Sequence, residues 1–179
     1  MSEVLEDKLQ INFDGSWFQS RYYVYVITVV HNLKTFYYIG QTGDRKYTAA
    51  RSPFYRLWGH FNPYNSKSGT DSQLIKALFK KGILEKIKGI SKRQIIDKAL
   101  FEKKILIATS FYPIEEFIND ETIEHKRKRK VAESIETALI NMFEADILFN
   151  DLNKIGHANV KITEEDLQMA QIIFNDVKK

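Results

Sequence analysis

The chain has 179 residues, of which 44% are hydrophobic and 28% are charged, so it is long enough for one globular domain with its own core. Its formal net charge of +4 at pH 7 is compatible with a polyanionic partner, although many basic proteins bind no nucleic acid. The absence of cysteine excludes disulfides, thiolate nucleophiles and cysteine-ligated zinc, and it fits a reducing cytoplasm, where we expect the protein to act.

Targeting and membrane segments are not expected. Residues 1–10 are acidic and lack the apolar region of a signal peptide. The longest apolar stretches are also far shorter than a bilayer span requires, so we expect no membrane partner.

The first half of the chain predicts a hairpin followed by a helix. Residues 22–30 are almost all β-branched or aromatic on both alternating faces, which is typical of a central strand covered on both sides. A turn at 31–34 separates this strand from a second one at 36–42. Ser52 and Pro53 then provide the N-cap and the first position of a helix.

The second half predicts more helices and one further strand. In chain order, we expect a loop at 62–69, helices at 71–81 and 91–100, a strand at 104–112 ended by Pro113, and helices at 119–145 and 163–177. This order predicts a fold of the α/β class, α+β type, in which helices flank a small, three-stranded, largely antiparallel sheet.

The same pattern predicts one main domain with two additions. Residues 1–20 form an N-terminal extension, whose ordering side chains are Ile11, Phe13, Trp17 and Phe18. Residues 21–155 form the main domain, which includes a helical insertion at about 62–102. Residues 156–179 form a C-terminal helix packed on the same domain.

Two candidate site residues lie on the helix that begins at Pro53. Arg56 and His60 lie together, one turn apart, opposite an apolar stripe formed by Phe54, Leu57, Trp58 and Phe61. A solvent-exposed polar face would show the same pattern. The functional alternative is a phosphate clamp, because the guanidinium fork of Arg56 matches phosphate oxygens. His60 would then bond a second oxygen, position water or protonate a leaving group.

A carboxylate lies on the apolar face of the long helix at 119–145. On a helical wheel Glu136 falls inside the apolar arc, whereas Glu133 falls outside it or on its edge. A buried carboxylate is unfavourable unless it meets a cation or hydrogen-bond donors. Glu136 is therefore either one partner of a buried salt bridge or a ligand of a hard cation such as Mg²⁺, and Glu133 is the alternative ligand.

Two tyrosines of the hairpin and one asparagine are weaker candidates. Tyr25 and Tyr38 are most simply core aromatics, but paired strands can bring both hydroxyls to one face. Gly40 follows Tyr38, and its missing side chain would let another group come close. Asn150 follows the long helix and is otherwise a turn residue, a role that Asn153 would fill equally well.

A strongly basic run occupies residues 125–130. Such a run is most often a solvated helix face. The alternative is a phosphate-binding surface that adds affinity without sequence preference. Its cations would be Arg51, Lys126, Arg127, Lys128, Arg129 and Lys130.

Taken in order, these residues resemble the GIY-YIG nuclease superfamily over residues 22–150. The second half-motif and its continuation are matched by Tyr38-Ile39-Gly40-Gln41-Thr42. Arg56 with His60 resembles the arginine of the superfamily, which is followed four residues later by a histidine or tyrosine. The glutamate followed by Leu-Ile is matched by Glu136-Thr137-Ala138-Leu139-Ile140, and Asn150 falls near the position of the terminal asparagine. The first half-motif differs from that of the superfamily, because Tyr23-Val24-Tyr25 replaces Gly-Ile-Tyr.

The resemblance implies a metal-dependent endonuclease that hydrolyses DNA phosphodiester bonds with one divalent cation, Mg²⁺ or Mn²⁺, and no small-molecule cofactor. Glu136 would hold the cation, Arg56 would stabilise the phosphate, and Tyr25, beside Tyr38, would assist the attacking water. Asn150 would hold the site together or position the phosphate. Because an unperturbed tyrosine has a pKa of about 10, this role of Tyr25 requires nearby positive charge.

Alternatives to this interpretation remain open. In a different register, Arg51 would replace Arg56 and Glu133 would replace Glu136. The lost glycine also allows a catalytically weak or inactive nucleic-acid-binding module with the same fold. A domain whose basic face binds an acidic protein is the third possibility.

Overall fold

The structure is a computed structural model that describes residues 12–45, 47–61, 72–117, 122–150 and 160–179. Along the chain, a 3₁₀ turn (Gly15–Phe18) is followed by strands β1 (Arg21–His31) and β2 (Lys34–Gln41), helices α1 (Pro53–Phe61), α2 (Gln73–Lys80) and α3 (Lys92–Phe101), strand β3 (Leu106–Glu116), and helices α4 (Thr122–Asn141) and α5 (Glu164–Val177). The predicted α+β arrangement is therefore confirmed. The predicted loop at 62–69 lies outside the described residues.

The sheet has three antiparallel strands in the order β2–β1–β3, so β1 is the central strand, as its apolar faces predict. A tight turn joins β1 to β2, and its residues Asn32 and Leu33 adopt φ values of 49° and 64°. These left-handed conformations suit the right-handed twist of a hairpin. The resulting register places Tyr25 directly opposite Gly40.

Strand β3 continues past Pro113, so the prediction that this proline ends the strand is wrong. The pairing shifts at this point, because Tyr23 lies opposite Pro113 while Tyr22 lies opposite Glu115. This shift is a β-bulge, and proline is tolerated at bulges and on edge strands such as β3. The strand therefore extends to Glu116.

Helices cover both faces of the sheet and create two cores. On one face, Tyr25 and Ile27 pack with Leu74 of α2 and with residues of α3. On the other face, Val26 packs with Leu139 of α4. Helix α5 packs on α4 in the same core. Tyr25 therefore lies in the core between the sheet and helices α2 and α3.

Local signals explain most helix ends. Helix α5 begins with a capping box formed by Thr163 and Asp166, as its sequence predicts. Helix α4 ends at Asn141 rather than at residue 145, because the chain turns there through a hydrogen bond from the Met142 N–H to the Leu139 carbonyl. The predicted start of α4 at residue 119 lies outside the described residues. No helix in the described part of the chain is long and apolar enough to cross a bilayer.

The described part of the N-terminal extension packs against α1. The rings of Phe13 and Phe18 lie 5.5 Å and 5.0 Å from the ring of Phe54, measured between centroids. Trp17 contacts Phe111 of β3 at 6.4 Å. The predicted ordering by aromatic side chains thus holds for these three residues, whereas Ile11 lies outside the described residues.

Candidate active site

Two side chains of α1 meet the phenolic oxygen of Tyr25, which lies on β1 and is fully buried. Arg56 donates a hydrogen bond from Nε to Tyr25 Oη over 2.8 Å. His60 Nε2 lies 2.8 Å from the same oxygen. Arg56 and His60 are one helical turn apart, so both face Tyr25, and the structure brings these three predicted site residues together.

Gly40 makes room for the Tyr25 ring. A Cβ atom at residue 40 would overlap Tyr25 Oη and Cζ and would lie 2.9 Å from Cε1. The phenol therefore crosses the backbone of β2, which is an edge strand of the sheet. The sequence predicts a close approach at Gly40, and the group that approaches is the side chain of Tyr25.

Tyr38 lies beside Tyr25, with 6.2 Å between the ring centroids. Its hydroxyl donates a hydrogen bond to Gln73 Oε1 over 3.0 Å. Ser72, the N-cap of α2, donates from its hydroxyl to the His60 carbonyl over 2.7 Å. Neither Gln73 nor Ser72 is among the site residues that the sequence predicts. A serine before an amphipathic helix is a cap signal, but no spacing marks Gln73 as a partner of Tyr38.

Burial raises the pKa of both tyrosines. For Tyr25, desolvation outweighs the lowering effects of the Arg56 charge and of the hydrogen bond that Arg56 donates. The pKa of Tyr38 lies well above its usual value, because burial acts together with the nearby Tyr25 and Glu136. The predicted role of Tyr25 in water attack requires a lowered pKa, and the charge of Arg56 alone does not produce one.

His60 is neutral in the folded protein. Only 5% of its surface is exposed, and burial together with the charges of Arg56 and Arg51 lowers its pKa from 6.5 to about 3. A neutral imidazole has no additional proton to give to a leaving group at neutral pH. Its Nδ1 atom is buried and has no hydrogen-bond partner in the described part of the chain. The predicted roles of His60 are to bond a phosphate oxygen, to position water or to protonate a leaving group. The geometry agrees best with a role in which His60 positions another group.

The two candidate carboxylates differ in their partners rather than in their burial. Glu136 is 9% exposed and Glu133 is 5% exposed, so Glu133 is as buried as Glu136, although the helical wheel puts it outside the apolar arc or on its edge. Glu133 is buried because Oε1 accepts a hydrogen bond from Arg45 Nε over 2.8 Å and another from Arg129. Two guanidinium groups thus surround Glu133.

Glu136, by contrast, acts electrostatically on the tyrosine site. Its charge raises the pKa of Tyr25, of Tyr38 and of the Arg56 guanidinium. The arrangement favours Glu136 over Glu133 as the carboxylate of the site.

The alternative arginine, Arg51, lies outside the hydrogen-bonded cluster. Its side chain is half exposed, and its Nη2 is 3.4 Å from Asp44 Oδ2. Its charge nevertheless contributes to lowering the pKa of His60. The geometry therefore assigns the contact with Tyr25 to Arg56.

Asn150 binds the outer edge of β2. Its Oδ1 accepts a hydrogen bond from the Ile39 N–H over 2.9 Å, and its Nδ2 donates to the Ile39 carbonyl over 2.7 Å. Immediately before it, Ile147 and Phe149 hydrogen-bond to both backbone groups of Tyr37. The Asn150 carboxamide thus continues the short parallel ladder that residues 147–149 form with β2, and it lies beside Gly40. This is the placement expected of a residue that holds the site together. Asn153 lies outside the described residues.

The basic run is divided between interior and surface. The buried Lys128 donates from Nζ to the Glu116 carbonyl over 2.8 Å. Arg127 pairs with Glu124, and Arg129 pairs with Glu133. Lys126 and Lys130 are exposed and form no ion pair among the described residues. The cations of the run that face solvent without such a pair are therefore Lys126 and Lys130.

Glu136 is the group of this site that suits a divalent cation. The described residues contain no group of three or more His, Asp or Glu side chains that could hold a metal. Mg²⁺ nevertheless takes as few as one or two protein carboxylates and keeps several waters. The buried carboxylate of Glu136 is a hard oxygen donor, the type of ligand that suits Mg²⁺ or Mn²⁺.

Comparisons with protein-family models, with curated proteins and with solved structures found no significant match to this chain. The resemblance to the GIY-YIG superfamily depends on the order of the site residues and stays a prediction.

Proposed function

We propose that the protein is a metal-dependent DNA endonuclease of the GIY-YIG type. The observation that carries the proposal is the convergence of Arg56 and His60 on the phenolic oxygen of Tyr25, within electrostatic range of Glu136. Residues distant in sequence, on strand β1 and helix α1, thus converge, as the proposed phosphodiester-cleaving site requires.

In the proposed site Arg56 has two functions. Its Nε fixes the phenolic oxygen of Tyr25, while its two terminal nitrogens offer N–H donors to phosphate oxygens. The guanidinium charge stabilises negative charge that develops on the phosphate during the reaction. A lysine at this position would keep the charge but lose the fork geometry.

His60 is a positioning residue for Tyr25. Because it is neutral and buried, it orients the Tyr25 hydroxyl rather than protonating the leaving group. The oxygen of water forms the new bond to phosphorus, and the bond from phosphorus to the leaving oxygen breaks. Tyr25 Oη takes the proton that the water loses, a step that requires the phenolate, and the leaving oxygen takes a proton from solvent.

A divalent cation bound at Glu136 would supply positive charge that polarises the phosphate and favours the phenolate of Tyr25. Glu136 contributes a buried carboxylate for this purpose. Mg²⁺ and Mn²⁺ are the cations that such oxygen donors suit.

The test is cleavage of supercoiled plasmid by the purified full chain with Mg²⁺ or Mn²⁺. We expect nicking by the wild type and none by Glu136→Gln, which keeps the side-chain shape but removes the charge. Glu144→Gln is the matched control, because Glu144 is exposed just beyond α4. Thermal unfolding of each variant shows whether the fold is intact. Undiminished cutting by a folded Glu136→Gln variant would contradict the assignment.

A nucleic-acid-binding module with little or no activity is the second candidate. The raised pKa of Tyr25 favours it, as does the tyrosine that replaces the first glycine of the motif. This candidate predicts DNA binding that weakens steeply with salt but no cleavage in any divalent metal.

A further inference from the structure

Helix α1 exposes two large aromatic side chains beside the site. Tyr55 is 61% exposed and Trp58 is 53% exposed. The helical pattern groups Trp58 with Phe54 in one apolar stripe, yet the structure leaves Trp58 exposed. Desolvating such rings is favourable, so their exposure marks a surface that can bind an apolar or aromatic group.

Gly59 has no structural reason to be glycine. Its φ is not positive, and a Cβ atom at this position would meet nothing within 4 Å in the described part of the chain. Glycine inside a helix is also unfavourable compared with alanine. A glycine that the fold does not require is typical of a place where a ligand comes close to the backbone.

These residues form a continuous strip around α1 next to Arg56. At 100° per residue, Gly59 lies 60° from Arg56 on the side away from His60, and Tyr55 and Trp58 follow it. The strip therefore begins at the guanidinium that contacts Tyr25 and ends at exposed aromatic faces. A phosphate held by Arg56 would place the adjacent sugar and base over Gly59.

We infer that Gly59, Tyr55 and Trp58 form a stacking surface for an unpaired DNA base next to the scissile phosphate. This inference depends on the proposed function and specifies its substrate class as DNA that is single-stranded or unpaired at the cleavage position. Bases within a duplex have both faces covered by their neighbours, so only an unpaired base offers a free face to an aromatic ring. Such stacking is tolerant of sequence.

The first test uses the fluorescence of Trp58. The chain has two tryptophans, so Trp17→Phe leaves Trp58 as the reporter, and Glu136→Gln in the same protein prevents cleavage. We expect a single-stranded oligonucleotide to quench Trp58 emission much more strongly than a blunt duplex at equal occupancy. Equal quenching by both DNAs, or no response to either, would overturn the inference.

The second test separates function from folding through Gly59→Ala. Because alanine favours the helix, we expect the melting temperature to rise by about 2–4 °C. Affinity for single-stranded DNA should instead fall, as it should in Trp58→Ala, where losing one stacked base weakens binding roughly 5- to 150-fold. Gly15→Ala is the matched control, because a Cβ atom there also meets nothing within 4 Å. A stabilised Gly59→Ala variant with unchanged affinity and cleavage would refute the close approach.

The outcomes distinguish this inference from the proposed function. If the wild type cuts plasmid but prefers duplex ends and leaves Trp58 unquenched, the nuclease assignment stands and the stacking surface is wrong. If single strands quench Trp58 while no DNA is cut in any metal, the stacking surface stands and the nuclease assignment is wrong.

Discussion

Acidification is expected to destabilise the protein through His60. Its pKa is 6.5 in the unfolded chain and about 3 in the folded protein, because burial and nearby arginines oppose its positive charge. Between these values the unfolded chain binds a proton that the folded protein does not. The stability that this difference contributes is fully present above pH 6.5, and it is lost progressively as the pH falls toward 3.

The size of the effect follows from the pKa values. One bound proton changes the free energy of unfolding by about 1.36 kcal/mol per pH unit. Between pH 6.5 and pH 4.5 the unfolded chain is protonated at His60 while the folded protein is not, so the loss is roughly 3 kcal/mol. The side chain is only 5% exposed, so solvent screening does not substantially reduce this value.

The measurement is urea unfolding at pH 7 and pH 4.5 for the wild type and for His60→Gln. Carboxylates also titrate in this range, but they are common to both proteins and cancel in the comparison. We expect the wild type to lose roughly 3 kcal/mol more than the variant between the two pH values. Equal losses in the two proteins would show that folded His60 accepts a proton above pH 4.5, and would refute its burial as a neutral ring against Tyr25.

Two further variants test the geometry around the edge of β2. Gly40→Ala places a methyl group into the space of the Tyr25 ring. We therefore expect the free energy of unfolding to fall by about 1–3 kcal/mol and plasmid nicking to become much slower. Wild-type values for both would show that the phenol does not cross residue 40. Asn150→Ala removes two hydrogen bonds to Ile39, so urea unfolding should show a loss of about 1–3 kcal/mol. Asn150→Asp should not restore this stability, because it sets a carboxylate oxygen against the Ile39 carbonyl.

Much of the fold could be predicted because it depends on local signals. The apolar faces of β1 identify it as a central strand, and the cap at Thr163 identifies the start of α5. The site residues were found by their order along the chain, and the structure brings Tyr25, Arg56 and His60 together.

The remaining features depend on partners that no local pattern reveals. The bulge at Pro113 arises from pairing with β1, and the burial of Glu133 depends on Arg45, which is distant in the sequence. A helical wheel ranks side chains by direction alone. It groups Trp58 with an apolar stripe and puts Glu133 outside the apolar arc or on its edge, whereas Trp58 is exposed and Glu133 is buried. Both differences have one physical origin, because burial is decided by what packs opposite a side chain.

Under the proposed function, the charges of the site account for a dependence on an added cation. Arg56 and Glu136 carry opposite charges, His60 is neutral, and burial keeps both tyrosines protonated in the resting protein. Ionising Tyr25 would add a negative charge to this buried group, near Glu136, and a bound phosphate would add another. Arg56 offsets only part of that charge. A hard cation at Glu136 would restore the balance, so Tyr25 is expected to become effective only when phosphate and cation are both bound.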